Sequence, residues 1–449
     1  MATTYLTRTS GTSTNVDKCT FSAWIKRGSL TASGHILMGQ YTDVNNRGKI
    51  TFTDDYLTYF QKTGGSTTAN VVTTRKFRDT SGWYNVVIAF DSTQGTEADR
   101  IKFYVNGVQE TAFSSTDYSQ NENVRINESS VPIVIGQDGN SGFYFDGSMS
   151  YVAFVDGTAE LPGIFGETDS TTGEWEIKTD ITPSVAWGTN GFLILKNGNS
   201  LTDESTNSNN FTLGGGTLTN TKDCPDNVFS TLNPLIGASN QPTFTNGNTT
   251  VISPSGTNAR YGGTLGMTSG KYYYEVKLLG SVTNGGFAAG ILNIDSFNFN
   301  STSGISGSSN YIGATVNNNN LYIQHGGASN DFTPTVALGS IIGHAIDMDN
   351  GYYYVHVNGV YLNSGDPTSG ATGTGNLNRT GNLNYDFSTL TMAIGGSSQN
   401  VDYGSFNFGN GTFGTTAIAS AGTNASNNGV FEYDVPTGYT ALSTKGLNL

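Results

Sequence analysis

Charge, proline and cysteine are scarce in this sequence. Only 12% of its 449 residues are charged, and it holds 10 prolines, 2 cysteines, 4 tryptophans and 4 histidines. Each scarcity removes a class of protein. Cys19 and Cys224 lie far apart and offer no CxxC metal spacing, so both are expected to be reduced thiols. No apolar run approaches the length that spans a bilayer. Met1 to Arg8 lacks the apolar core of an export signal, so synthesis in a cytoplasm is the expectation. Lys and Arg total 21 against 35 Asp and Glu, a formal net charge of −14. With no Lys/Arg-rich run to offset that balance, nucleic acid and anionic membrane surfaces are poor partners. The charge reads as a solubility device.

What is present is aromatic and glycine-rich. The 24 Phe and 23 Tyr supply cores that a disordered chain lacks, and 59 Gly suit short strands joined by tight turns. Period-two alternation recurs: Phe21, Ala23 and Ile25; Val86, Ile88 and Phe90; Ile101, Phe103 and Val105; Tyr272, Tyr274, Val276 and Leu278. Such stripes put one face on a core and the other toward water. Asx-Gly pairs at Asn106-Gly107, Asp138-Gly139, Asp146-Gly147, Asp156-Gly157, Asn350-Gly351, Asn358-Gly359 and Asn410-Gly411 suit primed hairpin turns. No long amphipathic helix is visible. The fold class is all-β: two antiparallel β-sandwich (jelly-roll) domains joined by an irregular connector.

The boundaries follow the density of alternation. Residues 1–160 form the first domain, 161–235 a connector partly packed on it, and 236–449 the second sandwich, with Tyr433, Pro436, Tyr439 and Leu442 pinning the tail. Asn300 to Asn310 and Ser364 to Asn384 read as exposed loops. Tyr104-Val105-Asn106-Gly107-Val108 is echoed by His356-Val357-Asn358-Gly359-Val360, one hairpin solution used in both halves.

Three motifs in order resemble the laminin-G-like, or concanavalin A-like, jelly roll. They are Phe21-Ser22-Ala23-Trp24-Ile25-Lys26, the pair Trp83 to Asp91 and Lys102 to Gly107, and Phe145-Asp146-Gly147-Ser148-Met149-Ser150-Tyr151-Val152-Ala153-Phe154. The C-terminal half resembles the SPRY domain through Gly270-Lys271-Tyr272-Tyr273-Tyr274-Glu275-Val276, Gly286 to Ile291, Gly343 to Gly351 with Val357-Asn358-Gly359-Val360, and Phe406-Asn407-Phe408-Gly409. The pairing resembles tailed-bacteriophage structural proteins. It starts with Tyr5-Leu6-x-Arg8-Thr9, has Phe229 to Pro234 in the connector, and ends Val435-Pro436-x-Gly438-Tyr439-x-Ala441-Leu442. The resemblance implies a virion protein in a tail fibre, tail appendage or head fibre. Its partners would be other virion subunits and a host-surface glycan, and a homo-oligomer is expected. A decoration protein with protein contacts only is the alternative, and a polysaccharide depolymerase a third reading.

No catalytic set is found. A retaining glycosidase needs two carboxyl groups about 5–5.5 Å apart. Glu174-Trp175-Glu176 offers the nearest pattern, and it lies in the connector as solvated acids. His35, His325, His344 and His356 read as strand-surface or loop residues, with no Gly-x-Ser-x-Gly elbow beside them. Asp347-Met348-Asp349-Asn350-Gly351 reads as hairpin-turn chemistry with its acids facing outward. The chain is therefore expected not to be an enzyme. Candidate glycan-binding residues are Tyr56, Tyr59, Phe60, Phe143, Tyr144, Tyr322 and Gln324, because ring faces stack on sugars and amides bind hydroxyls. Laminin-G-like rolls bind calcium through loop oxygens. That makes Asp138 and Asp146 candidate ligands, with Asp117 or Asp43 able to join them.

Overall fold

A computed structural model of the chain describes residues 3–30, 34–140, 142–236, 242–252, 258–280, 287–292, 311–325, 328–378, 391–395 and 403–448. The chain divides into two compact units, residues 1–220 and 221–449.

The first unit contains β1 (Tyr5–Thr9), β2 (Lys18–Arg27), β3 (His35–Asp43), β4 (Asn46–Thr53), β5 (Tyr56–Thr63), β6 (Ser66–Lys76), β7 (Tyr84–Asp91) and β8 (Ile101–Val105). It continues with β9 (Val108–Gln109), β10 (Phe113–Tyr118), β11 (Pro132–Ile135), β12 (Gly147–Asp156), β13 (Gly166–Thr168), β14 (Trp175–Ile177), β15 (Phe192–Ile194) and β16 (Thr212–Gly215). An eight-stranded sheet runs β10-β6-β5-β4-β3-β11-β1-β16 and a six-stranded sheet β15-β12-β2-β7-β8-β9. The core fills the space between them. Phe21, Ile25, Val86, Ile88, Phe90 and Phe103 come from one sheet, and Met38, Ile50, Phe52, Leu57, Tyr59 and Val71 from the other.

Period-two alternation locates these strands, but the six-stranded sheet departs from a one-face-wet reading. Ser22, Trp24 and Lys26 are buried as well as their neighbours. Phe165, Ile181 and Trp187 pack on Val87, Ala89, Tyr104, Ala153 and Val155 and dry the outer face. The stretch expected as a connector, 161–235, is thus shared out between the units. β15 and β16 extend the two sheets of the first unit, and Phe229 and Leu232 enter clusters of the second.

The second unit contains β17 (Leu232–Asn233), β18 (Thr243–Thr245), β19 (Thr250–Ile252), β20 (Asn258–Gly263), β21 (Lys271–Leu278), β22 (Phe287–Leu292), β23 (Tyr311–Asn317), β24 (Asn320–His325) and β25 (Ala328–Thr335). Then come β26 (Ile341–Asp347), β27 (Tyr352–Val357), β28 (Val360–Tyr361), β29 (Thr391–Gly395), β30 (Tyr403–Asn407), β31 (Thr412–Phe413), β32 (Thr416–Ala417) and β33 (Thr440–Ala441). One sheet runs β18-β19-β30-β21-β26-β27-β28, and β33 lies parallel to β21; a second runs β22-β23-β24-β25. Tyr274, Val276, Ile342, Ile346 and Phe406 meet Ala289, Ile291, Ile312, Ala314 and Leu321 in the core. The tail covers the other face of the larger sheet: Phe431, Val435, Tyr439 and Ala441 pack on Tyr273, Ala345 and Tyr354. The Tyr439 hydroxyl donates to the Pro367 carbonyl at 3.2 Å. The expected loop Asn300 to Asn310 lies outside the described residues, as does the Ser364 to Asn384 loop beyond residue 378. The described part of the latter carries short 3-10 turns.

The sequence echo is a shared geometry. Asn106 N–H donates to the Asn85 carbonyl (2.9 Å) while its Oδ1 accepts from Asn85 N–H (2.8 Å). Asn358 does the same to Ile341, both at 2.8 Å. Both Asn-Gly pairs sit at positive φ, as a primed turn requires. In each unit a later segment lays an aromatic ring over the turn glycine. A Cβ on Gly107 would collide with the Trp175 ring, and one on Gly359 would stand 2.9 Å from Tyr433.

Candidate functional site

The outer face of the eight-stranded sheet gathers aromatic and cationic side chains that are dispersed in sequence. Register aligns them. Gly39 faces Lys49, Lys49 faces Phe60, and Phe60 faces Asn70. One step along, Tyr41 faces Arg47 and Arg47 faces Lys62. Tyr56 pairs with Lys76 toward the other end. Asp138, Gly139 and Phe143 lie over this face. Asp138 sits above Gly39, where a Cβ would come within 2.8 Å of the Asp138 Cα, so glycine makes room for the crossing.

Three cations lie over rings here: Lys49 over Phe143 at 5.6 Å, Arg47 over Phe60 at 5.7 Å, and Lys76 over Tyr56 at 4.7 Å. Such contacts fix the cation without neutralising it and contribute about 0.5–1 kcal/mol each when exposed. Lys49 also reaches Asp138 at 3.9 Å. Burial holds the Lys49 ammonium below its ordinary value; Asp138 raises it and the nearby Arg47 charge lowers it further.

The sequence-predicted residues separate. Phe60 (half-buried) and Phe143 (44% exposed) come together around Lys49. Tyr56 shares their face. Tyr144 stands apart against Tyr5, ring centroids 6.2 Å apart. Tyr59 is fully buried, edge-on to Phe90 at 4.8 Å with its hydroxyl donating to Gln61, so it offers no ring face to a sugar. Tyr322 and Gln324 belong to β24 of the second unit. Sequence reading missed Tyr41, Arg47, Lys49, Lys62 and Lys76; their signal is the alternate polar positions of β3 to β6.

Two of the candidate calcium ligands have partners within the chain. Asp138 already faces the Lys49 ammonium and accepts from Asn140 N–H at 3.1 Å. Asp43 closes its own turn through Asn45 and Asn46. Among the described residues no three carboxylate, His or Cys side chains lie together.

Glu174 and Glu176 are exposed, and Glu176 stands opposite Glu167 in the β13–β14 hairpin. Trp175 between them donates from its indole to Asn85 Oδ1 at 3.0 Å. A groove of about 390 Å³ near the β7–β8 edge is lined by Ala89, Asp91, Lys102, Tyr104 and Leu161. Of its acids, Asp91 pairs with Lys18 (3.1 Å) and Asp99 with Lys102 (3.0 Å), while Glu160 accepts from the Thr158 hydroxyl at 2.8 Å.

The histidines correct the surface reading. His35, His344 and His356 are buried; the side chain of His325 lies outside the described residues. His344 stacks on Tyr274 at 4.3 Å, and its Nδ1 lies 2.7 Å from the Tyr353 hydroxyl. Gly359 N–H donates to His356 Nδ1 (3.1 Å), so the neutral ring carries its proton on Nε2, which donates to Tyr273 Oη at 2.7 Å. The Tyr273 hydroxyl then donates to Glu275 Oε1 at 3.1 Å. Glu275, fully buried, also accepts from Asn407 Nδ2 (3.1 Å), Glu432 N–H (2.9 Å) and Tyr433 N–H (2.8 Å). Burial pushes its carboxyl up to about 7 against the pull of these donors. Burial also pushes His356 down to about 4 and His344 well below its ordinary range. Asp347, expected to face outward, is buried against Lys271 at 2.9 Å. The tail covers that side of β21 and β26, which a strand pattern cannot show.

Residues 1–161 match the family model described as the concanavalin A-like lectin/glucanases superfamily. No curated protein matches the chain. Among solved structures, the chain is similar to a heptameric SAP-like pentraxin from Limulus polyphemus, at 16% identity over 36% of this chain and 72% of that one, TM-score 0.28. It is similar to the SPRY domain of human HERC1 at 14% identity over 39% and 96%, TM-score 0.29. Domains LG4-5 of the mouse laminin alpha1 chain align at 10% identity over 96% and 93%, TM-score 0.29.

Proposed function

We propose that this chain is a glycan-binding structural protein of a tailed-bacteriophage particle, in a tail fibre, tail appendage or head fibre, and that it grips host-surface glycan with the outer face of its eight-stranded sheet. The observation that carries the binding half is the meeting of Phe60 and Phe143 around Lys49 and Asp138. Rings supply stacking faces, and the charged pair supplies hydroxyl partners of both signs. The match of residues 1–161 to a superfamily of lectins and glucanases supports it. The virion half is supported by the start, connector and ending motifs quoted above. Binding rather than catalysis is supported by the burial of His35, His344 and His356.

A glycan array probed with the intact protein tests the binding half. Phe60→Ala is expected to weaken binding about fivefold, the equivalent of about 1 kcal/mol of ring contact; equal binding by wild type and variant argues against this face. Many weak sites on one particle would act together through avidity. A decoration role with protein contacts alone is the second reading. It is favoured by exposed Val108 and Val360 on the edge hairpins of the two units, and a particle reconstruction locating the subunit separates it from the first. Release of reducing ends from host polysaccharide, abolished by Glu176→Gln, would establish a depolymerase instead.

A further inference from the structure

The glycan reading leaves the chemistry of the sugar open, and the charge on the same face addresses it. Acids outnumber bases 35 to 21 in this chain, so a partner for any surface cation is easily come by. Yet among the described residues Arg47, Lys62 and Lys76 form no ion pair. Arg47 Nε is buried and has no hydrogen-bond partner. Arg47 and Lys62 are cross-strand neighbours, as are Lys49 and Phe60. Like charges directly opposite on adjacent strands destabilise a sheet, so the Arg47–Lys62 pairing is a cost to the fold that a bound anion would relieve. Arg47 is held by the Phe60 ring and Lys76 by the Tyr56 ring, which positions both cations and leaves their charge unspent.

We propose that the ligand of this face is an acidic polysaccharide whose sugars carry carboxylates, with Arg47 and Lys62 receiving one carboxylate and Phe60 and Phe143 stacking on the neighbouring rings. This rests on the glycan-binding reading above and narrows it. Arg47 and Lys62 lie on β4 and β5, spaced about 4.8 Å apart as adjacent strands are, close enough for one carboxylate to accept from both. Lys76 lies near the far end of β5, at Tyr56. That is six residues from Lys62, roughly 20 Å along a strand, so the cations are dispersed along the face. Lys49 already shares its charge with Asp138. A sparse weak anion suits this layout. A densely sulfated chain would bring more charge than these cations can meet and would feel the field of a protein at −14.

The experiment uses the full chain and three polymers: polygalacturonate, neutral dextran and dextran sulfate. Their binding is measured at low and high salt for wild type, for Arg47→Gln/Lys62→Gln, and for the charge-keeping Arg47→Lys/Lys62→Arg. All four tryptophans lie in the first unit, so an unchanged tryptophan unfolding transition certifies that the variants fold. Polygalacturonate is expected to bind best and to weaken as salt screens the contact. It should lose about tenfold in the Gln pair, on the scale of two exposed ion pairs, and stay within about twofold of wild type in the charge-keeping pair. Dextran bound as tightly as polygalacturonate, dextran sulfate bound more tightly, or a Gln pair that binds polygalacturonate like wild type would each overturn the proposal. Failure to bind these or any array glycan would instead overturn the glycan reading on which it rests.

Discussion

Replacing Glu275 by Gln converts a fully buried carboxylate of the second unit into a neutral group of the same shape. The carboxyl rises from an ordinary 4.5 to about 7 in the folded protein because burial disfavours its charge. A raised folded value means its contribution is fully present below about pH 4.5 and is lost as pH rises through 7. The loss amounts to about 3 kcal/mol at pH 8, from roughly two and a half pH units at 1.36 kcal/mol each. His356 works the other way. Burial depresses it from 6.5 to about 4, so its contribution is present above 6.5 and lost as pH falls through 4. The two nearly cancel across the overlapping window, and His344 shifts in the same direction as His356. A pH profile of the wild type alone therefore hides the effect, and the difference between wild type and Glu275→Gln exposes it. That difference should move by about 3 kcal/mol in favour of the wild type on going from about pH 8 to about pH 4.5. Urea unfolding followed by tyrosine near-ultraviolet dichroism reads it, with the first unit's own transition identified by tryptophan fluorescence, since the second unit has no tryptophan. Gln also loses acceptors for the Glu432 and Asn407 donors, a cost without pH dependence. Tryptophan fluorescence, which follows the first unit, should be unaffected. A wild-type-minus-variant difference that stays flat with pH would refute the account of this network.

Further outcomes follow from the same geometry. Gly107→Ala should lower the tryptophan-monitored stability of the first unit by about 1–3 kcal/mol, because positive φ and the Trp175 ring both oppose a Cβ; Gly359→Ala should leave that signal unchanged while weakening the tyrosine-monitored unit. Burial raises both thiols, Cys19 well above its ordinary range. Thiol titration should find Cys19 unreactive in the native chain and two free thiols after unfolding, whereas no free thiol in denaturant would indicate a disulfide. With Asp138 held by Lys49, adding or chelating calcium should not shift the tryptophan transition; a rise in midpoint with calcium would show a site these carboxylates do not account for.

Much of the sheet architecture was legible. Phe21, Ile25, Val86, Ile88 and Phe103 announced core faces by period two, and Asn106-Gly107 and Asn358-Gly359 announced turns that form with matching hydrogen bonds. Alternation describes one strand and one of its faces, so it could not show that Trp187 and Phe165 dry the back of the six-stranded sheet, or that the tail seals Tyr273 and Glu275. For the same reason His344, His356 and Asp347 looked solvated. The candidate site was half visible. Phe60 and Phe143 stood out as aromatics, but Tyr59 next to Phe60 points the other way, a distinction that one step of register decides. Arg47, Lys49, Lys62 and Lys76 form no basic run; they come to share one face only after three strands are placed side by side.

Hydroxyl-radical footprinting of the intact chain, with and without the glycan it retains most tightly from an array, tests the central claim most directly. Oxidation of Phe60, Phe143 and Tyr41 should fall several-fold in the complex while Tyr144, Tyr322 and the tyrosines of the second unit keep their rates. Unchanged oxidation at Phe60 and Phe143, with protection confined to other residues, would contradict a binding face on the eight-stranded sheet.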